Sequence, residues 1–105
     1  MRALAIALSL MLATTAAHAS SDEAQAQFSL AVAETCAASS GLDHARVSEL
    51  ILFDDTLNKV ATLVTGIYPQ PFMKGATGKV LCIYDKLTRK TWIDEATGWS
   101  APDML

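Results

Sequence analysis

The chain has 105 residues, a formal net charge of −3 and a hydrophobic fraction of 51%. This length suits a single domain, and the acidic balance excludes a typical nucleic-acid-binding protein, which neutralises phosphates with a basic surface. Two cysteines are too few for a disulfide-dense scaffold or a four-thiolate zinc site.

The first 19 residues are typical of a secretory signal peptide. Met1-Arg2 carries one positive charge, an apolar run covers residues 3–13, and Ala17 and Ala19 are the small residues of a cleavage site. A membrane anchor is the alternative, but the run is shorter than the roughly 20 residues needed to span a bilayer. We therefore expect cleavage before Ser20, export to the periplasm or the extracellular space, and a mature chain without a transmembrane segment.

Cys36 and Cys82 are predicted to form a disulfide in the mature domain, residues 20–105. An even pair of cysteines in an exported chain is typically a structural bridge, and closing a loop of this length stabilises a fold by about 4 kcal/mol. A redox or metal-binding pair is the alternative. It lacks the Cys-x-x-Cys spacing, and His44 is the one histidine of the mature domain.

Residues 21–40 are predicted to form one helix. Ser20 and Glu23 match a capping box, alanine is frequent in the segment, and Gly41 suits the position just after a helix C-terminus. A mostly apolar stripe recurs at helical spacing: Phe28, Ala31, Val32, Thr35 and Cys36. We expect the helix to pack through this face, which carries the disulfide.

Four strands are predicted after the helix, at about residues 47–53, 59–65, 79–84 and 90–95. These segments are rich in β-branched and aromatic residues, and polar or glycine-containing turns separate them. The turn Asp54–Asn58 predicts a hairpin of the first two strands, and a helix over residues 43–64 is the alternative. The predicted fold class is α+β, one N-terminal helix on a four-stranded antiparallel meander with one disulfide.

The sheet face opposite the helix is the first candidate binding surface. Alternation along the third predicted strand turns Leu81 and Ile83 away from the helix, and the fourth strand adds either Trp92 or Ile93 to that side. Exposed apolar surface is typical of protein-binding or self-association sites. The alternative is that the tail, residues 96–105, or the long loop 66–78 folds back over this face.

The loop 66–78 is the second candidate binding surface. Tyr68, Phe72 and Met73 are large apolar side chains on a segment that also holds two prolines. A stiff loop loses little entropy on binding, and aromatic residues commonly anchor interfaces. The alternative is that these side chains close one end of the core.

The sequence has no pattern typical of catalysis or of cofactor binding. His44 follows Asp43, but no serine lies in a nucleophile elbow, and no glycine-rich loop is suited to phosphate. Asp54, Asp55 and Asn58 offer oxygen atoms to calcium, yet the glycine and glutamate of an EF-hand loop are missing. We predict no catalytic residue, no cofactor and no metal, and we interpret the acidic pair as part of a polar turn.

Thr62-Leu63-Val64-Thr65-Gly66 resembles the Gln-Val-Val-Ala-Gly hairpin of the cystatin-like inhibitors, which are also helix-on-sheet proteins. Threonine stands in place of the glutamine, and Pro69 and Pro71 follow the motif. The resemblance is confined to this pentapeptide, so it assigns no family and carries over no binding residue.

These features predict a small exported, non-enzymatic module that binds another protein or itself. The most concrete version is an inhibitor or immunity protein acting on a secreted or envelope hydrolase, with its acidic charge favouring a basic target. The predicted contact residues are Tyr68, Phe72, Met73, Leu81, Ile83 and Trp92. The alternatives are a structural accessory subunit or homodimeric envelope protein, and a small-ligand or metal-binding module.

Overall fold

The computed structural model describes residues 21–100, which form one helix packed against one antiparallel sheet. The elements are α1 (Asp22–Ser40), β1 (Asp43–Val47), β2 (Ile51–Leu52), β3 (Lys59–Ile67), a 3₁₀ turn (Pro71–Met73), β4 (Thr77–Asp85) and β5 (Thr91–Glu95). The predicted α+β arrangement and the disulfide between Cys36 and Cys82 are confirmed. The predicted signal peptide, residues 1–19, and the end of the tail, residues 101–105, lie outside the described residues.

Capping residues define both ends of α1. Ser21 is the N-cap, and its hydroxyl accepts a hydrogen bond of 3.0 Å from the N–H of Ala24. The predicted cap, Ser20, is therefore one residue too early, and Ser20 itself lies outside the described residues. Gly41 follows the last turn with φ of 74°, in the left-handed region that glycine adopts without a steric penalty.

The buried face of α1 is centred on Val32 and Cys36, both 0% exposed. Phe28 extends this face by one turn, and its ring meets that of Tyr84 edge to face with centroids 6.2 Å apart. Ala31, which the predicted stripe included, is exposed. The prediction was wrong at that position because the buried stripe runs through Phe28, Val32 and Cys36, which are four residues apart, and Ala31 lies outside it.

The sheet order is β1-β3-β4-β5, and β2 also pairs with β3. β1 and β2 lie along opposite ends of β3, so the five strand segments fill the four positions of a meander. The predicted single strand 47–53 is wrong in its bounds, because pairing begins at Asp43 and is interrupted at residues 49–50. The first segment contains a bulge, where His44 adopts φ of 55°.

The other three strands match their predicted positions to within two residues, and β3 and β4 extend into the loop between them. That loop therefore spans residues 68–76, and the hydrogen bond from the Tyr68 N–H to the Ala76 carbonyl, 2.9 Å long, closes it. Residues 62–66 lie inside β3, where each has a partner in β4. They form no hairpin turn, so the resemblance to the cystatin-like hairpin does not extend to structure.

Alternate residues of the paired strands point to the two faces of the sheet. On the helix face, six side chains are each at most 5% exposed: Val60, Thr62, Val64, Val80, Cys82 and Tyr84. The disulfide joins this face to α1, with the two Cα atoms 5.9 Å apart. The hydrophobic core therefore lies between α1 and the helix face.

Two buried hydroxyl groups join β3 to the interruption between β1 and β2. The Ser48 and Thr62 hydroxyls lie 2.9 Å apart, and the Ser48 hydroxyl also accepts from the N–H of Leu63 at 3.0 Å. The Thr62 hydroxyl in turn donates to the Ser48 carbonyl at 2.9 Å. These side-chain bonds satisfy buried polar groups where the regular ladder stops.

Candidate protein-binding face

The sheet face turned away from α1, which we call the distal face, carries six apolar side chains: Ile51, Ala61, Leu63, Leu81, Ile83 and Trp92. In register, Ile51 lies beside Ala61, Ala61 beside Ile83, and Ile83 beside Trp92. These four residues form one row across the whole sheet, which we call the apolar row. The register also places Trp92, and not Ile93, on the distal face, because Ile93 is paired with Cys82 on the helix face.

The distal face is buried at its centre and exposed at its sides. Ala61 is only 4% exposed, whereas Ile51 is 58% and Trp92 44% exposed at the two ends of the apolar row. Within residues 21–100 no helix packs on this face, because α1 contacts the sheet from the other side. An exposed apolar row on a rigid sheet is the kind of surface that proteins use to bind one another.

Two lysines flank the Trp92 ring. The ammonium nitrogens of Lys90 and Lys59 lie 5.3 Å and 5.9 Å from its centroid, within the range of a favourable cation–π interaction. Lys59 also forms an ion pair with Asp85 across the strands, with a nitrogen–oxygen distance of 3.1 Å. Two cations therefore lie beside Trp92, and two acidic residues, Asp85 and Asp94, lie on the same face of the sheet.

The carboxylate of Asp85 organises the turn at the same end of the distal face as Trp92. It accepts hydrogen bonds from the N–H groups of Leu87 and Thr88, at 2.8 Å and 3.0 Å. These bonds, led by that from Thr88, and the pairing with Lys59 lower the pKa of Asp85 to about 2. Asp85 is therefore ionised at neutral pH and fixes one of the two lysines that flank Trp92.

The opposite end of the distal face lies beside the start of the tail. Lys79 lies on this face, and its ammonium group donates to the carbonyl of Trp99. Trp99 remains 59% exposed, so the described part of the tail contacts this end without burying its large side chain. The rest of the predicted tail, residues 101–105, lies outside the described residues.

Tyr68 lies on the helix face. Its ring passes so close to Gly78 that a Cβ atom there would lie 2.7 Å from it. The Tyr68 hydroxyl donates to the Glu95 carboxylate at 3.3 Å, and burial, together with this negative charge, raises the pKa of Tyr68. The structure thus places Tyr68 at the end of the core, away from the distal face.

Phe72 and Met73 lie on the 3₁₀ turn, at the far end of the sheet from Trp92. Phe72 is 76% exposed, and Met73 is half-buried. Thr77, where the loop ends, lies six positions before Ile83 of the apolar row, a span of about 20 Å along β4. The structure therefore brings together Leu81, Ile83 and Trp92 but leaves the loop aromatics elsewhere.

The sequence-based site lacked several members of the distal face, among them Ile51, Lys59 and Lys90. Ile51 belonged to a predicted strand, but only the register shows that it continues the row of Ile83 and Trp92. Lys59 and Lys90 are distant in sequence and meet only because β3, β4 and β5 are neighbours. Alternation along each strand indicates which face of the sheet these residues lie on, but it does not indicate which residues of the neighbouring strands they lie beside.

The polar residues considered for metal binding or catalysis have local structural roles. The Asp54 carboxylate accepts from the N–H of Thr56 at 3.3 Å within the turn between β2 and β3, and His44 is exposed on the β1 bulge. Among residues 21–100, no three His, Cys, Asp or Glu side chains are grouped as metal ligands would be. In the same part of the chain, no helix has the length and apolarity to cross a membrane.

Comparison with protein-family models, with curated proteins and with solved structures finds no match for this chain.

Proposed function

We propose that this chain is a small exported, non-enzymatic module whose distal face docks on another protein. The observation that supports this function is the apolar row, which ends in exposed side chains at Ile51 and Trp92. Export is supported by residues 1–19 of the sequence and by the disulfide, a bond that persists in oxidising compartments. An inhibitor or immunity protein acting on a secreted or envelope hydrolase is the specific role we favour.

The physical character of the distal face favours a protein partner over a small ligand. The row lies on a sheet, whereas small-molecule sites are concave and enclose their ligand. Trp92 is a large, amphipathic side chain of the type that dominates the energy of protein interfaces. The strands and the disulfide hold it in place before binding, which reduces the conformational entropy lost on association.

Charge on the distal face refines the expected partner. The net charge of the chain favours a basic target, but the cations Lys59, Lys79 and Lys90 lie on this face or at its edge. Of the acids on the same face, Asp85 is paired with Lys59, and Asp94 lies opposite Leu81. The distal face therefore carries charges of both signs around the apolar row and complements an apolar patch with both acidic and basic residues at its rim. Such complementarity increases both specificity and the rate of association.

Two matched serine substitutions test this proposal. Ile51→Ser removes an apolar side chain that is 58% exposed on the distal face, and Leu30→Ser removes one that is 55% exposed on α1. Both variants of the oxidised mature chain are immobilised and incubated with the envelope and secreted proteins of the cells that produce it. Circular dichroism checks that both are folded.

We expect a captured protein that the unmodified chain and Leu30→Ser retain and that Ile51→Ser retains at least about tenfold less. Equal retention by the two variants would place the contact elsewhere on the molecule. Absence of any retained protein would contradict the proposed function.

A further inference from the structure

β5 forms one edge of the sheet, and it differs from the edge on the other side. The β1–β2 edge has a bulge and an interruption, two features that discourage pairing with another chain. β5 is a regular five-residue strand without glycine or proline, and no strand from residues 21–100 lies on its outer side. Its outward backbone groups are therefore available to a further strand.

The hydrogen-bond ladder between β4 and β5 shows which backbone groups of β5 face outward. The Asp85 N–H donates to the Lys90 carbonyl at 2.9 Å, and the Ala96 N–H donates to the Lys79 carbonyl at 3.1 Å. Because inward and outward bonding alternate along an antiparallel strand, residues 90, 92, 94 and 96 bond to β4. The backbone groups of residues 91, 93 and 95 face away from the sheet.

One of these outward groups is already engaged. The Glu95 N–H donates to the carboxylate of Asp94 at 2.8 Å. The complete outward pairs of N–H and carbonyl groups are therefore those of Thr91 and Ile93. An added strand would bond to these two residues.

We propose that β5 pairs antiparallel with β5 of a second copy, so that the protein self-associates edge to edge. In the register that places Thr91 opposite Ile93 of the second copy, all four N–H groups of these residues find carbonyl partners across a two-fold axis. The same register places Trp92 opposite its own copy and Lys90 opposite Asp94. Aromatic pairs and opposite charges are both favourable in directly opposed positions.

Neighbouring registers fit less well. Pairing centred on Ile93 opposite itself needs the Glu95 N–H, which Asp94 occupies. Shifting the strands one step further places Asp94 opposite Asp94, and like charges in opposed positions destabilise a sheet. The symmetric register with Trp92 at its centre is thus the one that the charges and the available hydrogen bonds favour.

The pairing would be weak and reversible, and it would join the two distal faces. A five-residue edge gives less buried area than the roughly 1,200 Å² of a stable interface, so the dimer should form only at high concentration. The two apolar rows would then become continuous, with both Trp92 side chains at the seam. This inference goes beyond the proposed function, because self-association and docking of a partner are separate events.

Sedimentation velocity of the oxidised mature chain, from about 10 μM to about 1 mM, tests the pairing. We expect a monomer at the low end and a substantial dimer fraction at the high end. Thr91→Pro should abolish the dimer, because it removes one outward N–H while the ladder to β4 uses the even-numbered residues. Thr91→Ala is the matched control, since it loses the same hydroxyl contact with Ser39 but keeps the N–H, and it should dimerise normally.

Charge reversal gives a second test that does not alter the backbone. Asp94→Lys places two lysines opposite each other and should weaken the dimer about tenfold, whereas the double variant Lys90→Glu/Asp94→Lys restores opposite charges and should recover most of the affinity. A chain that stays monomeric at about 1 mM, or a dimer that Thr91→Pro and Asp94→Lys leave unchanged, would overturn the inference. A dimer lost in Ile51→Ser but kept in Thr91→Pro would show pairing through the distal faces instead and would equally overturn it.

Failure of this inference is distinguishable from failure of the proposed function. Thr91→Pro keeps Ile51 and should still retain a partner protein, whereas Ile51→Ser keeps the edge of β5 and should still dimerise.

Discussion

The two faces of this sheet are built from the same strands and have opposite characters. Val64 on the helix face is 0% exposed, while Ile51 on the distal face is 58% exposed. The helix face is covered by α1 and tied to it by the disulfide, and the distal face has exposed apolar side chains beside lysines. Alternation along a strand thus divides one short sequence between stabilising the fold and, as we propose, recognising a partner.

The largest expected effect on stability comes from the disulfide that joins the helix face to α1. Replacing both Cys36 and Cys82 with alanine should lower the free energy of unfolding by about 4 kcal/mol, because the open loop regains conformational entropy in the unfolded chain. Urea denaturation of the oxidised parent and of the double variant measures this difference. A loss below about 1 kcal/mol would show that packing alone holds α1 on the sheet.

A comparison of one apolar truncation on each face sharpens the contrast. Val64→Ala should cost about 2 kcal/mol of unfolding free energy, because it removes buried methyl groups and leaves a cavity. Ile51→Ala should cost less than about 1 kcal/mol, because most of that side chain is already in water. Both values come from denaturant unfolding, and equal costs would contradict the division between the two faces.

A smaller loss of stability is expected from the buried hydroxyl pair of Ser48 and Thr62. Ser48→Ala removes the acceptor for the Leu63 N–H and a partner of the Thr62 hydroxyl, which should cost about 1 to 2 kcal/mol. Ser39→Ala, which removes an exposed hydroxyl that bonds Thr91, is the control and should cost less than about 0.5 kcal/mol. Thermal unfolding in parallel separates the two variants.

The smallest expected effect is a pH dependence of stability that comes from Asp85, at the same end of the distal face as Trp92. The pKa of Asp85 is lowered from 3.8 to about 2 in the folded chain, so folding favours its charged form. This contribution to stability is present above pH about 4 and is lost as the pH falls toward about 2. Asp85→Asn should therefore lower the melting temperature near neutral pH and have little effect near pH 2, and a constant difference across this range would contradict the assignment.

Much of the fold follows from local sequence patterns. Alanine content and Gly41 predict α1, and β-branched runs predict β3 and β4 to within two residues of each end. Most of strand β1 was not predicted, because Asp43–Arg46 is mostly polar. This segment forms a strand by pairing with β3 through a bulge. Long-range pairing, unlike helix capping, leaves little trace in the residues that it orders.

Only part of the candidate face could be predicted, because local patterns show which face of a strand a residue lies on but not how neighbouring strands pair. Period-two alternation selected Leu81 and Ile83, and both lie on the distal face. It did not separate Trp92 from Ile93, and it did not bring Ile51 or Lys59 to the same site, because those positions depend on the register between strands. The loop residue Tyr68 was chosen for its size, and the structure uses that size to cover Gly78.

Site-specific photo-cross-linking in the cells that produce the protein tests whether the distal face docks on another protein. A photoreactive residue in place of Ile51 samples the distal face, and the same residue in place of Leu30 samples an equally exposed position on α1. We predict a discrete cross-linked complex with one protein from position 51 and none from position 30. Cross-links from position 30 alone, or the same products from both positions, would contradict the account of the distal face as the docking surface.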